Sequence, residues 1–131
     1  MPNGGAYLLS LDLPRRLTVT VGKMGRFVFP AGRYLYAGSA LKNLNQRIAR
    51  HRRLATRKEG MLRWHIDFLL TCPEVRLLRV RKFVGGRECT LSRQIASRKG
   101  TRVPVPGFGS SDCTAGCQAH LYRIYRRLNN G

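Results

Sequence analysis

Arg47 and His51 lie four residues apart in a segment, Leu41 to Leu54, whose apolar residues recur at helical spacing. Wound at ~100° per residue, Leu41, Leu44, Ile48 and Ala55 fall in one stripe, with Arg47 and His51 along its edge. An arginine held that close to a core needs an anion to balance it, and a phosphate matches the guanidinium fork. A histidine one turn further on can hydrogen-bond the same phosphate or assist proton transfer; helix packing is its plainer use. Arg50, Arg53 and Arg57 project from the opposite side, where solvation and contact with a phosphate backbone are both open. A second group, Cys113, Cys117 and His120, has a spacing compatible with zinc, with Cys89 or Cys72 as a fourth ligand. Reduced, buried thiols are the plainer reading of the same cysteines. Carboxylates are scarce: a divalent cation would have to draw on Asp12, Glu59, Asp67, Glu74, Glu88 or Asp112.

The elements that must position these groups can be read from the apolar pattern. Residues 5–11 form an apolar strand stopped near Pro14, and Leu17–Val21 alternates as a half-buried strand does. Gly22–Gly25 is a turn, Arg26–Phe29 is the return arm of a hairpin, and Arg33–Ala37 is the next strand. Gly38 stands where that strand must turn toward the Leu41–Leu54 helix, and Ser39 can cap the helix or bind a phosphate. A short helix over Met61–Leu70, a strand over Val75–Phe83 with its basic residues exposed, and a helix over Glu88–Arg98 follow. Residues 103–113 read as an ordered loop. The expected fold is α+β: a small, mainly antiparallel central sheet flanked by helices, with an extra N-terminal hairpin, in a single domain spanning residues 1–131.

The formal charge is +19, from 25 basic residues against six acids, and 20 of the basic residues are arginine. Such an excess attracts polyanions, and the arginine bias suits phosphate oxygens, so nucleic acid is the expected partner. No apolar run approaches the ~20 residues of a membrane span, no long amphipathic basic helix stands out, and no secretory signal opens the chain. A cytoplasmic protein without membrane contact is expected, with association with the nucleoid left open.

Gly5-Ala6-Tyr7 on one strand and Tyr36-Ala37-Gly38 on another, followed by a helix carrying Arg47, resemble the signature of the GIY-YIG nucleases. Trp64-His65-Ile66-Asp67 and Gly107-Phe108-Gly109-Ser110-Ser111-Asp112-Cys113 resemble the hallmarks of a small GIY-YIG-related family of archaea and bacteria. Members of that family are sometimes fused to endonuclease III-type repair enzymes. The resemblance implies a Mg²⁺- or Mn²⁺-dependent endonuclease acting on DNA rather than RNA, with a DNA-repair glycosylase as a further partner. It implies that Tyr7 or Tyr36 activates water, that Arg47 and His51 stabilise the phosphate, and that Glu88 holds the metal. Base duty would require a cation to lower a phenol from its ordinary pKa near ~10, and the metal and the basic charge are the expected source. Gly38, Ser39, Arg50, Arg53 and Arg57 would contact nucleic acid, and His65, Asp67 and Asp112 could line the site. Two other readings use the same residues: a nucleic-acid-binding module without turnover, and a small adaptor stabilised by zinc on Cys89, Cys113, Cys117 and His120.

Overall fold

The structure, a computed structural model, describes residues 4–109 and 117–124. In chain order the elements are β1 (Gly5–Leu13), β2 (Leu17–Val21), a 3₁₀ turn (Gly22–Met24), β3 (Gly25–Phe29) and β4 (Gly32–Ala40). They continue with α1 (Leu44–Arg57), α2 (His65–Leu70), β5 (Arg76–Val84), α3 (Glu88–Ala96) and β6 (Leu121–Ile124). The fold is α+β. Four strands form one antiparallel sheet in the order β5-β1-β4-β6, and β2 pairs with β3 as a separate hairpin.

The register of β1 on β4 decides which side chains meet. Tyr7 lies opposite Gly38, Leu9 opposite Tyr36 and Leu11 opposite Tyr34. Cross-strand partners share a face and neighbours along a strand alternate. Odd-numbered residues of β1 therefore share a face with even-numbered residues of β4. Tyr7, Leu9, Leu11, Tyr34 and Tyr36 pack there against Leu44, Ile48 and Leu54 of α1, Ile66 and Leu69 of α2, and Val21 and Phe29 of the hairpin. Ala6, Leu8, Leu35 and Ala37 face the other way and are covered by Leu91 and Ile95 of α3. Both faces of the central pair are thus closed, which explains why β1 and β4 are apolar on consecutive positions.

Several boundaries differ from the sequence expectation. The strand expected over Arg33–Ala37 runs on to Ala40, and α1 starts at Leu44 behind Asn43, whose backbone is left-handed at φ 59°. Leu41 is consequently 95% exposed and lies outside the buried stripe. The second helix begins at His65 rather than Met61, because the Asp67 carboxylate accepts the N–H groups of Arg63 and Trp64 at 2.7 and 2.9 Å. This holds the chain just before the helix in an extended cap. The third helix ends at Ala96, short of Arg98. β5 is an edge strand with Arg76, Arg79, Arg81 and Lys82 exposed, a charge pattern that discourages pairing with another chain. Among the described residues, no helix is long and apolar enough to cross a membrane.

Candidate active site

Gly38 makes room for Tyr7. A methyl group on Gly38 would fall 2.4 Å from Tyr7 Cζ and 2.5 Å from its hydroxyl oxygen. The ring of Tyr7 therefore crosses the strand where β4 has no side chain. It reaches α1, where its hydroxyl sits 2.7 Å from His51 Nε2 in a buried hydrogen bond. The glycine expected at a turn lies inside β4, and its use is steric. Ser39 is also a strand residue and caps no helix; its carbonyl accepts a hydrogen bond from Arg47 Nη1 at 3.1 Å.

Burial sets the protonation of this pair. It lowers His51 to about 4, against a smaller opposing pull from Asp67, so the imidazole is neutral at pH 7. Asp67 Oδ1 lies 3.9 Å from His51 Nδ1, which makes no hydrogen bond among the described residues. The carboxylate draws the ring proton to Nδ1 and leaves Nε2 to accept from the Tyr7 hydroxyl. Burial also pushes Tyr7 up to about 12, with Arg47 pulling the other way, and raises Tyr36 well above the ordinary phenol value. The basic charge of the chain does not offset this: the protein's own groups hold both phenols protonated at neutral pH.

Arg47 is half-buried, and its guanidinium lies 4.2 Å from the centre of the Trp64 ring. Arg50 also stacks on Trp64, at 4.7 Å. Arg50 is not outward-facing as its helical position suggested. Its two terminal nitrogens bind both oxygens of Asp67, at 3.0 and 2.9 Å, and one also donates to the Met61 carbonyl. Asp67 is fully buried, and hydrogen bonds from Arg50 and two backbone N–H groups hold its carboxyl below the usual carboxylate range despite burial. Arg50 is therefore committed to an internal ion pair, whereas Arg47 contacts neutral groups. Arg53 and Arg57 are exposed, as expected.

Tyr7, Tyr36, Ser39, Arg47, His51 and Glu88 converge on one polar cleft of about 150 Å³. That is room for on the order of five waters, which suits one phosphate group with its solvation. Glu88, at the start of α3, brings a carboxylate to the cleft from around the end of the sheet. Ser39 and Glu88 also line a wider open groove along Gly4, Gly5, Gly85 and Gly86. Trp64, Gly109 and His120 complete the cleft, and residue patterns alone did not place them there. Their signals were the Trp-His-Ile-Asp and Gly-Phe-Gly runs and the Cys-x-x-His spacing, none of which says which side chain faces inward.

His65 and Asp67 do not line the cleft but stand behind it. His65 Nδ1 accepts the N–H of Gly109 at 2.8 Å and so holds that loop in place, while Asp67 anchors Arg50 and faces His51. Asp112 and Cys113 lie outside the described residues. Cys89, Cys117 and His120 come together, with ligand atoms all within 4.8 Å of one another. Cys72 is apart from them, its thiol donating to the Phe68 carbonyl.

Comparisons with curated proteins and with solved structures gave no match. A family model, by contrast, matches residues 6–130, a span that takes in every described residue of the cleft. The chain belongs to the family described as Domain of unknown function DUF123.

Proposed function

We propose that the chain is a metal-dependent endonuclease that hydrolyses phosphodiester bonds, with DNA as its favoured substrate. One observation carries this reading: two tyrosines, an arginine, a histidine and a glutamate, drawn from β1, β4, α1 and α3, converge on one small polar cleft. The resemblance of the Gly-x-Tyr and Tyr-x-Gly strands to the GIY-YIG nucleases supports it, and so does the charge of +19.

A Mg²⁺ or Mn²⁺ ion suits a site with one carboxylate, Glu88, completed by waters and phosphate oxygens, and would there neutralise phosphate charge and acidify a bound water. The side chains perform the remaining work. Arg47 lines the cleft, stacked on Trp64 and donating to the Ser39 carbonyl, and forms no ion pair among the described residues, so its charge is available to a phosphate whose negative charge grows during attack. Tyr7 does not wait as a phenolate, since burial keeps its proton on. Its hydroxyl donates to His51 Nε2, 2.7 Å away, which leaves the phenol oxygen's lone pairs to accept a hydrogen bond from the attacking water and orient it. Tyr36 lines the same cleft, its phenol kept protonated by burial. Arg53 and Arg57 follow the nucleic-acid backbone without reading sequence.

The test is cleavage of single-stranded, duplex, flap and junction DNA, and of RNA, with Mg²⁺ or Mn²⁺. Metal-dependent cutting that falls roughly 10²–10³-fold in Arg47→Ala is expected, the scale of losing one oxyanion donor. A second reading, binding without turnover, draws on the raised phenols: neither tyrosine is a ready base. Salt-sensitive binding with no cutting of any substrate, in either metal, would select it.

A further inference from the structure

We propose that Cys89, Cys117 and His120 hold one zinc ion, which fastens the start of α3 to the segment entering β6. The three ligand atoms lie within 4.8 Å of one another, and Cys89 Sγ is 3.9 Å from His120 Nε2. A tetrahedral zinc with ordinary bond lengths needs a sulfur–nitrogen separation of about 3.6 Å and a sulfur–sulfur separation of about 3.8 Å. The side chains therefore stand within small rotations of a metal site. Two thiols and an imidazole are the donor set that zinc favours over magnesium or calcium.

A second observation points the same way. His120 is 1% exposed, and its other ring nitrogen, Nδ1, faces Glu88 Oε2 at 3.5 Å. A zinc-bound histidine ordinarily turns its free N–H toward a carboxylate, which fixes the tautomer and the ring orientation. Here the carboxylate precedes Cys89 in the chain, so helix α3 supplies both a ligand and the group that orients another ligand. The backbone of His120 is already fixed: its carbonyl accepts from Ala37 N and its N–H donates to the Phe108 carbonyl, at 2.9 and 2.8 Å. Beside it, the Ser92 hydroxyl donates to the Ala119 carbonyl. Such pre-positioning is what a structural metal site requires.

The ion would bridge residues 28 positions apart in sequence, adding to the Ser92–Ala119 hydrogen bond that already joins α3 to the segment entering β6. It would also hold Glu88 at the edge of the cleft, but the zinc site does not depend on the nuclease reading. Three protein ligands leave a fourth tetrahedral position.

The experiment is metal analysis of the full chain, together with Co²⁺ substitution followed by absorption spectroscopy. One zinc per chain is expected, with a thiolate-to-cobalt charge-transfer band and strong visible absorption in the Co²⁺ form. Cys89→Ser, Cys117→Ser and His120→Ala should each lose at least tenfold in metal retention, while Cys72→Ser keeps the full complement. Folded wild-type protein that carries no zinc and gives no charge-transfer band with Co²⁺ overturns the proposal. A band of unchanged intensity in Cys117→Ser overturns it as well. If the ligand variants do not fold, the wild-type spectra decide alone. No readout involves cleavage, so the site and the nuclease can fail separately.

Discussion

Acidification below neutrality should destabilise the protein through His51 before the carboxylates begin to titrate. The imidazole is buried between Tyr7 and Asp67, and its pKa falls from an ordinary 6.5 to about 4. The unfolded chain therefore binds a proton that the folded chain refuses. For a histidine with a depressed folded value, stability is complete above the unfolded pKa and declines as pH falls toward the folded one. With those two values, linkage gives a loss of about 1.4 kcal/mol at pH 5.5 and about 2.5 kcal/mol at pH 4.5, relative to pH 7.5. The His51→Gln variant keeps a group that can accept the Tyr7 proton but does not titrate. Urea unfolding of both proteins, at pH 7.5, 6.5, 5.5 and 4.5 and fixed ionic strength, measures the difference. The variant is expected to start less stable and to stay nearly flat across this range. Its curve should converge on that of the wild type as pH falls. Equal pH dependence in the two proteins would refute the reasoning, because the proton would then be entering elsewhere.

Arg50→Ala should cost about 3–5 kcal/mol in urea unfolding, since it strands the fully buried Asp67 carboxylate. Arg53→Ala should leave stability within about 0.5 kcal/mol and instead reduce the salt slope of DNA binding by about 1, measured by titration at several salt concentrations. Gly38→Ala places a methyl group inside the Tyr7 ring. Overpacking of this kind costs about 1–3 kcal/mol, and the Tyr7–His51 hydrogen bond should disappear from the NMR spectrum of the imidazole. Glu88→Gln should weaken the Mg²⁺ dependence of cleavage at least tenfold while leaving metal-free DNA binding unchanged, as judged by fluorescence anisotropy.

Most of the fold was legible because it rests on short-range periodicity. A continuous apolar run marked β1, alternation marked β2, and helical spacing marked the body of α1, since each pattern records which sides of an element face the core. The ends of elements were less legible. Whether Ser39 continues a strand or caps a helix depends on what pairs with it, and Ala40 finds a partner in Gly5 only once β1 lies alongside. The grouping of Tyr7, Tyr36, Arg47, His51 and Glu88 followed from a resemblance in motif and spacing, and the structure brings these residues to one cleft.

The structure alone decided the roles that depend on contacts distant in sequence. Arg50 and Arg47 lie three residues apart on one helix, yet Asp67 claims one and leaves the other available. A wheel of α1 cannot show this, because it does not contain α2. Tyr7 finds His51 across 44 residues, and His65 finds Gly109 across another 44. The direction of the tyrosine shifts was also beyond composition: the charge of +19 argued for lowered phenols, and burial raised them. Net charge acts through screened solvent, whereas desolvation acts at the atom itself, and only packing determines how much water that atom has lost.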